Sequence, residues 1–240
     1  MSFPRRVSPE ILDGLAGNDP RALRAREDLH RINTLIGQRF IMGRLMKASA
    51  GEAPPRVVVE FGSGDGRFSL RVARRLARRW PSVKLFLIDR QALVSATTLE
   101  AFRALGWEAT SVLSDVFDWF TDHPRETVDL VTVNLFLHHL QPRALALLFQ
   151  RLAATTRAFV ACEPRRSPAA LAGCTFLALA GIGPLIRHDA RVSVHAGFKG
   201  KELSVLWPKD DQWQLQEWRG GVFSHCFLAR RCNSHAQLRL

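Results

Sequence analysis

The chain has 240 residues, 47% of them hydrophobic and 23% charged, with a formal net charge of +12 at pH 7. This composition excludes a disordered chain and supplies one core, so the length reads as one large domain or one domain with a small appendage. No basic-then-apolar leader opens it and no apolar run reaches the roughly 18 to 20 residues of a membrane span. Cys162, Cys174, Cys226 and Cys232 form no CxxC pair and no zinc-spaced cluster. Free thiols in a reducing compartment follow, which points to the cytoplasm. The positive charge invites a nucleic-acid reading, because basic surfaces attract phosphate backbones. Yet many arginines (Arg67, Arg71, Arg74, Arg75, Arg78, Arg79) share one helix face opposite Phe68, Val72, Leu76 and Trp80, which reads as a solvated face. No nucleic-acid partner is expected, and membrane contact is expected to be peripheral at most.

In chain order, residues 1–18 read as irregular and mobile. Asp19-Pro20 is a helix start, aspartate as N-cap and proline at the first helical position, and the helix runs toward Met46 with a break near Gly37. Gly51 to Pro55 is a linker. From Arg56 strands alternate with helices: strand Val57–Phe61, helix Arg67–Trp80, strand Val83–Ile88, helix Ser95–Leu105, strand Glu108–Leu113, strand Val128–Asn134, helix Pro142–Ala154 and strand Arg157–Cys162. This rhythm predicts parallel βαβ units in an α/β sheet with helices on both faces. An apolar helix (Ala169–Ile186), a polar loop and a short helix (Lys199–Trp207) follow. Two closing strands, Trp213–Trp218 and Val222–Arg230, flank Gly220-Gly221, a hairpin signal. The expected organisation is an N-terminal helical extension and substrate cover (1–55) ahead of the main domain (56–240), with 164–207 as a second covering insertion.

The first strand ends in Glu60-Phe61-Gly62-Ser63-Gly64-Asp65-Gly66-Arg67. Open α/β sheets bind ligands beyond the carboxyl ends of their strands, where glycines let a ligand approach the backbone. Dinucleotide binders use GxGxxG, whose third glycine falls here on Arg67. The GxGxG spacing with an acid two residues before the first glycine instead resembles the first motif of class I S-adenosylmethionine-dependent methyltransferases. Asp89 (followed by Arg90) ends the second strand, Asp115-Val116 follows the third, and Asn134-Leu135 closes the fourth ahead of Phe136-Leu137-His138-His139. All are similar to that family's later motifs.

The resemblance implies S-adenosyl-L-methionine as cofactor and a doubly wound, mostly parallel seven-stranded sheet of order 3-2-1-4-5-7-6 with the last strand antiparallel. It assigns Glu60, Gly62, Ser63, Gly64, Gly66, Asp89, Arg90, Asp115, Val116, Asn134 and Leu135 to the cofactor. Asp89 would accept the ribose hydroxyls, Asp115 the adenine amine, and the Val116 N–H would reach the ring. Asn134 lacks the Pro-Pro-aromatic continuation of base-amine methyltransferases and is not the acid of metal-dependent catechol enzymes. No glutamate pair of the protein-arginine type follows the fourth strand. What remains resembles ubiquinone/menaquinone-type and bacterial secondary-metabolism enzymes. O-methylation of a small, lipophilic phenol or quinol without a metal is therefore expected, by a monomer or homodimer. Ring C-methylation, carboxylate methylation and a non-catalytic cofactor-binding subunit stay open. A phenol gains from a base, and histidine titrates in the useful range. His139, His195 and His188 are the candidates, and each also reads as a capping or surface residue.

Overall fold

The computed structural model describes residues 3–51, 53–123 and 128–232. The Asp19 carboxylate accepts the Arg21 N–H at 2.8 Å and caps α1 (Pro20–Leu35). Gly37, at φ 70°, breaks the helix, and α2 (Gln38–Ser49) follows. Then come β1 (Val57–Phe61), α3 (Arg67–Leu76), β2 (Val83–Asp89), α4 (Ala96–Arg103), β3 (Trp107–Leu113), α5 (Val116–Asp122), β4 (Leu130–Asn134), α6 (Pro142–Thr155) and β5 (Ala158–Pro164). The chain continues through α7 (Pro168–Thr175), α8 (Pro184–Ala196), α9 (Glu202–Leu206), β6 (Trp213–Arg219) and β7 (Ser224–Arg231).

The strands form one seven-stranded sheet of order β3-β2-β1-β4-β5-β7-β6. β1 pairs parallel with both β2 and β4, while β7 runs antiparallel to β5 and β6. The order reverses between β1 and β4, so the crevice for a ligand opens at the carboxyl ends of those strands. β4 and β5 are buried along their whole length, which is why they read as unbroken apolar runs. One face of the sheet packs Trp119, Phe149, Leu152 and Trp207 from α5, α6 and the end of α9. The other packs Met42 and Leu45 from α2 with Phe68, Val72 and Leu76 from α3.

Four sequence expectations need correction. The apolar stretch Ala169–Ile186 is not one helix: α7 ends at Thr175, a 3₁₀ turn covers Phe176–Ala178, and the chain turns through Gly181–Gly183 before Pro184 starts α8. The polar loop expected after Ile186 is instead the body of α8. The arginine face of α3 is only partly solvated, because Arg67 pairs with Glu27 of α1, Arg71 donates to Thr34 Oγ1 at 3.1 Å, and Arg75 lies 4.3 Å over the Phe40 ring. Residues 3–18 are not loose: Arg5 donates to the Ala196 carbonyl, and the Ile11 N–H to Asp189. Residues 1–2 and 233–240 lie outside the described residues.

The sheet's far edge is held by a buried polar cluster. Glu217 of β6 accepts the Leu203 and Ser204 N–H groups of α9 at 3.1 and 2.8 Å, and His225 Nε2 of β7 lies 2.7 Å from it. Glu217→Ala would leave those donors buried without an acceptor, so a loss of about 3 kcal/mol in urea unfolding is expected.

Candidate active site

A cavity of about 660 Å³ opens at the carboxyl ends of β1 to β4, within the range of roughly 300 to 1,000 Å³ typical of small-molecule sites. It is lined by Glu60, Gly62, Ser63, Gly64, Asp89, Arg90, Asp115, Val116, Asn134, Leu135 and His139 among the residues singled out in sequence. Gly66 does not line it. A Cβ there would press on Leu87 and Thr98, so this glycine serves the contact between α3, β2 and α4. His188 and His195 do not line it either, because α8 carries them to a second cavity.

The glycine loop is held by its neighbours. Asp89 Oδ2 accepts the Gly64 N–H and Oδ1 the Gln91 N–H, both at 2.9 Å. Asp65 Oδ2 lies 2.7 Å from His30 Nε2, docking α1 onto the loop. Gly64 sits at φ 55°, and a Cβ built on it would meet nothing within 4 Å, so its backbone faces open cavity. Asp115 Oδ1 caps α5 by accepting the Phe117 N–H at 2.9 Å. Around the same space Ser63 Oγ, Asn134 Oδ1, His30 Nδ1 and Asn33 Oδ1 are buried with no hydrogen-bond partner among the described residues. Glu60 is buried at the floor, and Ser69 donates to it. Burial, with Asp89 and Asp65 adding to it, outweighs that hydrogen bond and pushes the Glu60 carboxyl up to about 8.

After β4 the chain makes a strained turn. Leu135 has φ 55°, the sole positive value for a non-glycine among the described residues, at a cost of about 1 to 3 kcal/mol. Glu163, fully buried at the end of β5, collects the donors that follow: the N–H groups of Phe136, Leu137 and His138 at 2.9, 2.8 and 3.3 Å. His138 Nδ1 lies 2.8 Å from the same carboxylate, and its Nε2 lies 3.2 Å from Glu10. Burial alone would lower the His138 pKa, but the bonds and charges of Glu10 and Glu163 prevail and hold it at about 9.

Sequence reasoning missed Glu10, Asp13, His138 and Glu163. Residues 3–18 form a strap across the cavity mouth. Arg5 donates to the Ala196, His138 and Leu140 carbonyls at 2.7, 3.2 and 2.9 Å, and Asp189 accepts the Ile11 and Leu12 N–H groups at 2.9 and 3.0 Å. The strap delivers Glu10 to His138 and Asp13 to His139, whose Nδ1 is 3.1 Å from Asp13 Oδ2. Of residues 164–207, only Ser193 reaches the cavity. Glu10, His138 and His139 offer ligand atoms all within 4.8 Å of one another. His138, held protonated between Glu10 and Glu163, has no lone pair to offer a metal at neutral pH.

Sheet order and glycine loop at the switch point define the class I methyltransferase architecture. Residues 58–158 match the family model described as a methyltransferase domain. Similar solved structures include the plantazolicin methyltransferase BpumL in complex with SAH (13% identity, 90% of this chain and 92% of that chain, TM-score 0.63). An O-methyltransferase family protein from Burkholderia thailandensis is 17% identical over 90% of this chain and 61% of that one, with TM-score 0.58. The mitomycin 7-O-methyltransferase MmcR is 13% identical over 92% and 62%, with TM-score 0.54. No curated protein matches the sequence. The chain has the fold of class I S-adenosylmethionine-dependent methyltransferases, and its residues 58–158 match a methyltransferase domain.

Because the folded His138 pKa is raised, its contribution to stability is complete below about 6.5 and is lost as pH rises through about 9. Urea unfolding should show this fall, by up to about 1.4 kcal/mol per pH unit, and His138→Gln should lack it.

Proposed function

We propose that this enzyme transfers the methyl group to a hydroxyl of a small aromatic acceptor, with His139 as general base. The observation that carries the reading is the His139–Asp13 pair, which shares one cavity with the glycine loop. S-adenosylmethionine, when bound, supplies an electrophilic methyl on its sulfonium. The residues present fit it: the Gly64 backbone faces open space, and Ser63 Oγ and Asn134 Oδ1 have unused hydrogen-bonding capacity. Asp89 and Asp115 already accept backbone N–H groups, but each carboxylate has about four lone-pair sites, which leaves room for ribose and adenine donors.

Asp13 accepting from His139 Nδ1–H would leave Nε2 as the basic nitrogen, the arrangement in which an acid fixes the tautomer of a catalytic imidazole. With the hydroxyl proton held on Nε2, the acceptor oxygen gains nucleophilicity, and the remaining work is alignment and exclusion of water by the strap. His138 would not compete for this role, since two carboxylates keep it protonated at neutral pH. Neighbouring folds named as O-methyltransferases, among them MmcR, agree with oxygen as the target.

His139→Ala should lower kcat about 10²- to 10⁴-fold with labelled cofactor and a panel of phenols and quinols, and Asp13→Asn should lower it by less. Affinity for S-adenosylhomocysteine, read by calorimetry, should hold in both variants. Full turnover in His139→Ala would end the assignment.

Glu60 yields a second expectation. Its carboxyl is protonated at pH 7 in the free protein, and a ligand ammonium beside it favours the carboxylate. Binding of S-adenosylhomocysteine should then release a proton, seen as a buffer-dependent calorimetric enthalpy at pH 7. In Glu60→Gln the released proton should vanish.

A further inference from the structure

The other side of the strap faces a second cavity, of about 610 Å³, lined by Arg6, Arg187, His188, Arg191 and His195 together with Ser8, Pro9, Cys174 and Thr175. Three guanidiniums and two imidazoles meet there, and no carboxylate lines the space. Positions 187, 188, 191 and 195 recur at helical spacing, so one face of α8 supplies four of the five groups. Arg6 comes from the strap, whose N–H at that residue donates to the His195 carbonyl at 3.0 Å.

None of the three guanidiniums takes part in an ion pair among the described residues, although arginines elsewhere in the chain find Asp19, Asp28, Glu27, Asp129 or Glu202. The Nε of Arg187 is buried with no hydrogen-bond partner. Asp189, the acid between these residues in sequence, is buried and turned to the strap, where it accepts the Ile11 and Leu12 N–H groups; it also lies 3.0 Å from His188 Nδ1 but pairs with none of the three guanidiniums. Three like charges held around a concave space repel one another, and bringing them together without a carboxylate is unfavourable unless an anion completes the site. Guanidinium forks match phosphate and carboxylate oxygens in shape and charge.

We infer that this cavity binds an oxyanion, a phosphate or carboxylate group, between Arg6 of the strap and Arg187 and Arg191 of α8. Its occupancy fastens the strap a few residues ahead of Glu10 and Asp13. The group belongs either to a free anion or to the anionic end of an organic ligand.

Calorimetric titration with inorganic phosphate, at constant ionic strength in chloride, tests this on the whole protein. Sub-millimolar binding is expected, with a thermal midpoint higher in phosphate than in chloride. Arg187→Gln/Arg191→Gln should weaken binding at least tenfold, and the exposed pair Arg78→Gln/Arg79→Gln should leave it unchanged. Arg191→Gln alone, at an exposed position, serves if the double variant does not fold. No phosphate binding by the wild type, or equal loss in the Arg78/Arg79 control, overturns the proposal. Phenyl phosphate separates the sources: at least tenfold tighter binding than phosphate identifies an organic ligand, and equal affinity a free anion.

Discussion

The carboxylate of Glu163 is the point on which the site is built. It sits at the end of a fully buried strand and gathers three consecutive N–H groups and an imidazole nitrogen from the neighbouring strand's loop. A buried acceptor without donors would cost several kcal/mol, and so would those buried donors without an acceptor. Each side therefore fixes the other. The left-handed Leu135 and the 3₁₀ turn at Leu137–His139 follow from that mutual requirement. His138 is thereby aimed toward Glu10, and the strap is drawn across the cavity.

The division of labour along the chain follows the same physics. The sheet supplies backbone: strand ends, a glycine loop and capping acids that are already engaged with N–H groups. The strap and α1 supply side chains with unmet hydrogen-bonding capacity or paired charge, namely Glu10, Asp13, His30 and Asn33. The sheet thus holds one half of the cavity, and helix α1 together with a strap that has no regular secondary structure beyond a short 3₁₀ turn holds the other.

How much of this was legible in the sequence depends on distance along the chain. β1, β2 and β5 start within a residue of the sequence expectation and β4 ends at the expected Asn134, because buried parallel strands are near-continuous apolar runs that stop at polar or glycine residues. The strand order was legible through motif order. Seven residues, Val116–Asp122, form a helix that mixed polarity and short length disguised. Arginines, histidines and an aspartate occupy much of the surface of α8 and give it the look of a loop, whereas the strap's claim on Asp189 and the cavity lined by Arg187 and Arg191 account for that pattern in the fold. Glu10 and Asp13 had no local signal at all. Their partners lie about half the chain away, and periodicity carries no information over that span. The histidine pair in the fourth-strand loop was the sole hint, and of the two only His139 was singled out.

The strap also sets an order of events during synthesis. Arg5 is bonded to Ala196, 191 positions later in the chain. At about 5 to 20 residues per second, the ribosome needs on the order of 10 to 40 s to make the strap's partner after making the strap. The first βαβ units can pair as they emerge, while Glu10 and Asp13 wait for His138 and His139 and the strap waits longer still for its contacts on α8. The five parallel strands, β1 to β5, therefore precede the full docking of the strap, and the newborn chain passes through a state that has a parallel sheet but no closed site.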